Sequence, residues 1–320
     1  MFLNPGLFLG FMITDYMEQA EDFRDNYESK VAEAVNFIQM KFGFDEPEFG
    51  IVLGSGLGGL ADAIENQQVV DYAEIPNFPR TGVEGHKGRL IKGTLEGVSV
   101  IALQGRKHYY EVADEPFNNG MLKVVFPVHV LANLGVKNYF ATHAAGGLNP
   151  NYKPGDIMII ESHINFLPNP LMGRKHNFFK VGTEDFTERF QPMNNAYDPF
   201  LSDLLWTAAI DYQKYVHRGT LLSVVGPSYE TEAECIAFRD GLHADVVGMS
   251  VTPEVIVARN RGMNCVGMSL ITNTVTADGV NTANHEEVMK VLNSADVKLR
   301  LETIVSDFFA LYRESHQQPL

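Results

Sequence analysis

Cysteine is almost absent from this chain. Cys235 and Cys265 are the only two among 320 residues, too few for a disulfide framework in a chain of this length. No Cys/His cluster has zinc-ligand spacing either, and a reducing, cytoplasmic setting is expected. Positive charge is also scarce. Lys and Arg number 25 against 40 Asp and Glu, a formal net charge of −15, and no basic stripe is present. That excludes a nucleic-acid backbone binder without excluding a local site for a small anion. Long apolar runs are missing too. Phe2 to Met12 is largely apolar but only about half the length a membrane span requires. It has no basic n-region and no clear small-residue cleavage site after it. It reads as an extra arm over residues 1–17, or as a start that properly lies at Met12 or Met17. Internal repeats, low-complexity stretches and flexible linkers are absent as well, so residues 18–316 are expected to form one domain.

What the chain does have is a recurrent pattern: a short apolar strand running into small or polar residues. Ile51-Val52-Leu53 leads into Gly54-Ser55-Gly56-Leu57-Gly58-Gly59, and Ser99 to Leu103 leads into Gln104-Gly105-Arg106. Tyr139 to Thr142 leads into His143-Ala144-Ala145-Gly146-Gly147. Leu221 to Val225 leads into Gly226-Pro227-Ser228-Tyr229-Glu230-Thr231, and Gly267 to Ile271 leads into Thr272-Asn273. Ligands of α/β proteins sit outside the carboxyl ends of strands, so five such ends define one multi-part site. It offers a glycine-rich anion loop, an arginine, a carboxylate beside an aromatic ring, and an amide. That set suits an anion plus a flat heteroaromatic base.

Between the strands the pattern turns helical. Val31, Ala34, Val35, Ile38 and Phe42 recur at helical spacing within a helix expected over Glu18 to Phe42, and another is expected over Leu122 to Leu134. One apolar stripe, Val288, Val291, Leu292, Ala295, Leu299, Ile304, Phe308 and Leu311, predicts a single closing helix. Asn284 and Glu287 form its capping box, and His285 sits in its first turn. The alternation favours an α/β sheet. Asn165 to Pro199 is the exception. It lacks periodicity and carries Phe178, Phe179, Phe186 and Phe190, so it is expected to bury those rings against another surface, such as a second subunit.

Gly54 to Gly59 also matches the dinucleotide fingerprint G-x-G-x-x-G, with Asp71 after Val69-Val70 as the ribose acid, which alone would suggest an NAD-dependent dehydrogenase. The roughly ten residues between Gly59 and Val69 barely permit a crossover helix. A phosphate cradle of backbone N–H groups and the Ser55 hydroxyl fits the loop better.

Eight segments in this order carry a resemblance. They are Gly54 to Gly58, Gly85-His86-Lys87-Gly88-Arg89-Leu90, Gln104 to Tyr110, Ala144 to Asn149, Gly226 to Thr231, Gly248-Met249-Ser250, Leu270 to Asn273, and Ala283 to Glu287. The series resembles the trimeric class of purine nucleoside phosphorylases over roughly Tyr27 to Tyr312. The resemblance implies a homotrimer of single α/β domains, each a twisted, mixed, partly barrel-like sheet surrounded by helices. It implies phosphorolysis of purine nucleosides to free base and sugar 1-phosphate, with inorganic phosphate as co-substrate and no metal or organic cofactor. Neither nucleic acid nor membrane is an implied partner. Phosphate would be held by Ser55, His86, Arg106, His108, the Ala144 backbone and Ser250, with Arg106 offering a bidentate fork. Tyr229, Glu230 and Asn273 would take the purine, and Tyr110, Met249 and His285 the sugar, with Phe190 reaching a neighbouring subunit's site. Asn273, His108 and Glu230 would be the catalytic set. No Ser-His-Asp arrangement or hydrolytic carboxylate pair is present. A methylthioadenosine phosphorylase shares the fold but is expected to have an apolar 5′-pocket, where His285 looks placed for a 5′-hydroxyl. Two residues depart from the family pattern: His143 where asparagine is usual, and Thr274 where lysine is common.

Overall fold

The computed structural model describes residues 5–54, 59–82, 87–172, 190–281 and 284–317. In chain order the first elements are α1 (Pro5–Asp25), α2 (Tyr27–Phe42), β1 (Phe49–Val52), α3 (Leu60–Ala63), β2 (Glu65–Asp71), β3 (Arg89–Leu95) and β4 (Val98–Gln104). The middle of the chain gives α4 (Asn119–Asn133), β5 (Asn138–Gly147), β6 (Ile157–Asn165), α5 (Pro199–Ala208) and β7 (Val216–Ser223). Then follow α6 (Glu232–Ile236), β8 (Val246–Gly248), α7 (Thr252–Asn260), β9 (Asn264–Thr274), α8 (His285–Leu292) and α9 (Ala295–Gln317).

A strand covered on both faces needs apolar side chains at every position, and all four residues of β1 are buried. It lies parallel between β4 and β5. Successive side chains alternate between two cores. Ile101, Leu103, Tyr139 and Ala141 pack with α2, α4 and α7 on one face. Val100, Ala102 and Phe140 pack with α5 and α9 on the other. The nine strands of the described residues form one mixed sheet, ordered β2-β3-β4-β1-β5-β8-β7-β6-β9. Its far end closes, because β9 pairs back on β5 in parallel from Asn138↔Asn264 onward. The half from β5 to β9 is thus a five-stranded barrel, and β2 to β4 form a flap on its side.

The topology removes the dinucleotide reading. After the glycine loop, α3 has only four residues, and β2 does not lie beside β1. It is separated from β1 by β3 and β4, so the β1–α3–β2 stretch is no parallel βαβ unit. All five strands expected to carry the site are present. One detail differs: β7 and β8 run parallel to each other, and β8 is antiparallel to β5. Their carboxyl ends still reach the site, because β5 and β8 overlap only at Gly146↔Val247 and Gly147↔Val246.

Two helices expected as single rods are divided. The first breaks at Asn26 (φ −106°, ψ 23°), whose side-chain amide donates to Asp22 Oδ1 at 2.6 Å. Short polar side chains that bond locally compete with the helix ladder. The apolar stripe crosses the break, since Phe23 meets Tyr27 edge-on at 5.6 Å. Helix already extends over much of the expected arm, and the described side chains from Ile13 to Gln19 are exposed until Ala20 turns inward. The closing helix divides at Asn293 and Ser294. That re-phases the stripe, so Leu299 is 62% exposed while Val297 and Leu301 are buried. The Asn284 cap forms, its Oδ1 accepting from Glu287 N at 2.9 Å. Of the Asn165 to Pro199 segment, residues 173–189 lie outside the described residues, including Phe178, Phe179 and Phe186. No helix among the described residues is long and apolar enough to cross a membrane.

Aromatic rings join α9 to the sheet. Phe308 lies 5.9 Å from Phe49, 5.2 Å from Phe140 and 5.1 Å from Phe309, all steeply inclined. It is fully buried. Phe308→Ala should lower unfolding free energy by about 3–5 kcal/mol, the cost of a large aromatic cavity. A denaturant midpoint close to wild type would show that α9 is not integral to the fold.

Candidate active site

At the end of β4, Gly105 turns the chain with φ 115°, and Arg106 points back into the protein at 4% exposure. Its Nε donates to Glu254 Oε1 at 2.9 Å and its Nη2 to Glu254 Oε2 at 3.1 Å. Nη1 donates to the Thr142 carbonyl at 2.6 Å. The fork expected for a dianion is therefore engaged on this edge by a protein carboxylate from α7. A guanidinium taken out of water needs such a partner, since an unpaired buried charge costs several kcal/mol. Burial pushes the phenols of Tyr72 and Tyr139 well up beside the pair. Gly54 lets β1 approach it: a Cβ there would stand 3.1 Å from Arg106 Nη1 and 2.5 Å from the Thr142 oxygen.

Ser250 is presented by a strained turn. Val251 has φ 72° and ψ −56°, where a β-branched residue is an outlier, and Thr252 N donates to Ser250 O at 2.9 Å. Those values describe a positive-φ γ-turn. A clasp from β7 holds it, with Ser223 Oγ donating to Ser250 O at 3.1 Å and lying 2.5 Å from Thr252 Oγ1. Val251 is fully buried, so packing and the clasp together hold a conformation that costs about 1–3 kcal/mol.

His108 begins a single 3₁₀ turn over Tyr109–Glu111. Its backbone N donates to Glu111 Oε1 at 2.7 Å, and its ring Nδ1 lies 3.2 Å from the same oxygen. Partial burial works against ionisation of Glu111. Bonds from the His108 ring and amide and from Lys107 outweigh it and hold the carboxyl down at about 2. The His108 ring stacks on Tyr110 at 5.1 Å. Beneath the Ala144 amide, His143 is buried and shares a 2.8 Å bond with Ser269 Oγ. Burial, then the charge of Arg106, pushes its pKa down to about 3, so the ring is neutral. Gly248 makes room for it, since a Cβ there would lie 2.7 Å from His143 Cε1.

On the opposite side β9 carries a bulge. Ala145 pairs with Ile271, but Gly146 pairs with Asn273, so Thr272 is an extra residue. Bulges re-aim side chains next to sites. Here Asn273 packs over Gly146, where a Cβ would stand 3.2 Å from its Nδ2. Thr272 Oγ1 donates to Asn273 Oδ1 at 3.0 Å, Asn273 Nδ2 donates to Asn281 Oδ1 at 3.2 Å, and Asn281 Nδ2 donates to Glu230 Oε2 at 3.3 Å. Burial raises the Glu230 carboxyl from its ordinary value. Tyr229 beside it is 43% exposed.

A pocket is lined by His108, Met249, Ser250 and Glu254 among others, and Tyr110, two residues after His108, lies near enough to Tyr229 to feel its charge. Met249 in turn packs against Gly226, where φ is 68° and any Cβ would collide with its sulfur. Arg106, His108, Ala144, Ser250, Met249, Tyr110, Tyr229, Glu230 and Asn273 thus stand around one end of the barrel. Ser55 and His86 lie outside the described residues, as does the side chain of His285. Phe190 is 85% exposed, away from any core. Glu254, Asn281, Glu111 and Ser223 were not foreseen from the sequence. No cluster of His, Cys, Asp and Glu among the described residues is arranged to hold a metal ion.

The Phosphorylase superfamily model matches residues 48–308. Purine nucleoside phosphorylase 1 of Bacillus subtilis is 45% identical over 263 residues, covering 82% of this chain and 92% of that protein. The purine nucleoside phosphorylase of Bos taurus is 45% identical over 262 residues, covering 79% and 86%. The chain belongs to the purine nucleoside phosphorylase family. Among solved structures, Schistosoma mansoni purine nucleoside phosphorylase in complex with inosine superposes with a TM-score of 0.74 at 36% identity. It covers 87% of this chain and 96% of that one.

In this purine nucleoside phosphorylase fold, Arg106–Glu254 is the one ion pair among the described residues with both side chains at 4% exposure. Glu254→Ala should destabilise the protein by about 3–5 kcal/mol by leaving the guanidinium charged and unpartnered. Glu254→Gln, which keeps volume and one acceptor, should cost distinctly less. Denaturant unfolding of both variants decides it, and a loss under about 1 kcal/mol in Glu254→Ala would deny the pair a structural role.

Proposed function

We propose that this protein catalyses phosphorolysis of purine nucleosides, taking inosine, guanosine and their deoxy forms to free base and (deoxy)ribose 1-phosphate. The observation that carries this reading is a carboxylate and a carboxamide, Glu230 and Asn273, joined through Asn281 beside the strand ends that carry Arg106, His108 and Ser250. Cleavage of the glycosidic bond builds positive charge on the sugar and negative charge on the departing purine. Phosphate beneath the sugar stabilises the first and then captures it. Ser55, His86, His108, Ser250 and the Ala144 amide hold that phosphate. Arg106 supplies the positive end of a pre-oriented pair rather than an open fork. Asn273 stabilises the purine, its carbonyl accepting from a protonated N7 and its NH₂ donating to O6. Ionised Glu230 accepts from N1–H and from the 2-amino group of guanosine. Tyr229 covers the base, and Tyr110, Met249, His285 and a neighbour's Phe190 contact the sugar. Such preorganised groups commonly supply the largest catalytic term, about 10²–10³-fold per donor.

Inorganic phosphate is the only co-reactant this chemistry needs, without metal or organic cofactor. The functional domain spans residues 18–316, with residues 1–17 as an arm, and the cysteine usage supports a cytoplasmic enzyme. A homotrimer is supported by the exposure of Phe166, Met172 and Phe190 at the two described ends of the Asn165 to Pro199 segment. A partner surface would cover those rings.

Wild type should release hypoxanthine from inosine only when phosphate is present, followed by ultraviolet absorbance. In Arg106→Ala the positive charge behind the phosphate is lost and Glu254 is left unpaired, so the phosphate KM should rise and kcat fall, together by roughly tenfold or more. Base release independent of phosphate would mark a hydrolase, and cleavage of methylthioadenosine in preference to inosine would mark the related phosphorylase. Sedimentation should give about three times the 35.6 kDa of one chain. A fully active monomer would overturn both the trimer and the shared role of Phe190.

A further inference from the structure

Asn281 belongs to none of the sequence motifs, yet it stands between the two side chains assigned to the base. The hydrogen bonds through it run one way: Thr272 hydroxyl to Asn273 carbonyl, Asn273 NH₂ to Asn281 carbonyl, Asn281 NH₂ to Glu230 carboxylate. An ionised carboxylate only accepts. Glu230 therefore fixes which end of the Asn281 amide faces it, and Asn281 fixes which end of Asn273 does the same. The bridge from Val275 to Asn281 anchors this residue against the barrel. The turn between them closes by Thr276 N donating to Val280 O at 3.0 Å, with Gly279 at φ 90°.

We propose that Asn281 is a positioning residue that sets the preference for 6-oxopurines over 6-aminopurines, by holding the Asn273 amide with its NH₂ toward the purine 6-position. The proposal rests on the phosphorolysis reading and deepens it. An NH₂ group carries two hydrogens, so the bond to Asn281 leaves Asn273 a second one for O6 of inosine or guanosine. Adenosine presents an amino group there and meets donor with donor. Turning the Asn273 amide over would relieve that clash but set its carbonyl against the Asn281 carbonyl. Turning Asn281 as well would set its carbonyl against the Glu230 carboxylate. The cost of accepting adenosine thus passes along the line to a charged end that cannot reverse. At the other end nothing resists, since the Thr272 hydroxyl can either donate or accept.

The test measures kcat/KM for inosine and adenosine, with saturating phosphate, in wild type, Asn281→Ala and Asn281→Asp. Asn281→Ala removes the lock, so the inosine-to-adenosine ratio should fall about tenfold or more, chiefly through faster adenosine cleavage. Asn281→Asp still accepts from Asn273 NH₂, so the ratio should stay within about threefold of wild type while both rates fall. A merely structural role would lower both substrates together and leave the ratio of Asn281→Ala unchanged, which would overturn the proposal. Should Asn281→Ala not fold, Asn281→Asp decides alone, and loss of discrimination there would also overturn it. Wild type active on inosine with an unchanged variant ratio removes Asn281 only. Wild type that releases no base from either nucleoside removes the activity and this assignment together.

Discussion

The Arg106–Glu254 pair joins the carboxyl end of β4 to helix α7 inside the protein, with the Thr142 carbonyl of β5 as third partner. Much of the site's geometry follows from satisfying it. Gly54 must lack a side chain for β1 to come close. Tyr72 anchors the turn behind Arg106, its hydroxyl donating to Gly105 O at 2.9 Å. Helix α7 must begin where it does for Glu254 to reach the guanidinium, which places Ser250 just outside its first turn. Burying two charges is no cheap route to stability, because desolvation can exceed the attraction gained. What such a pair supplies is direction. It holds an arginine that an apolar contact could not hold in one orientation.

The strands were legible in the sequence because their signals are local: five apolar runs ending in small residues became strand ends. Glu230 and Asn273 were assigned to the base only through the family resemblance, since neither stands out in its local pattern. The helix divisions were not legible. Asn26 and Asn293 lie in runs whose periodicity passes straight through them, and only local backbone angles reveal the breaks. Glu254 was hidden for a different reason. In Thr-Pro-Glu-Val it reads as a first-turn acid of a helix, which favours a helix start by itself. Its real partner is 148 residues away. Asn281 likewise reads as one more polar residue in a turn, and its meaning depends on a bulge at Thr272 that no pattern announces.

Strain and its support also escape the sequence. Val251 is among the least suitable residues for a positive φ, so the turn that presents Ser250 would not be predicted there. It persists because neighbours over-determine it: a buried side chain on one side and the Ser223 hydroxyl between Ser250 and Thr252 on the other. His143 is a parallel case. Placed where the family usually has asparagine, it could suggest a new acid or base near phosphate. Its burial, low pKa and fit against Gly248 make it a neutral packing group under the loop.

The two halves of the site are built differently, and this bears on what each can change. The anion end is made of strand termini, a buried ion pair and a clasped turn, each with partners on at least two other elements. A substitution there disturbs the barrel itself. The base end hangs on Tyr229 and Glu230, in the stretch after β7, and on Asn281, in the turn after β9. It is joined by three hydrogen bonds between small polar groups and is open enough to leave Tyr229 exposed. Loops of this kind tolerate replacement better than the scaffold that positions them. On the proposed function, a fold that holds the phosphate on rigid strand ends and reads the base through a line of amides whose direction one carboxylate fixes can alter its choice of base without rebuilding the reaction. The direction of that line, set by one carboxylate, is the quantity that such alteration has to change.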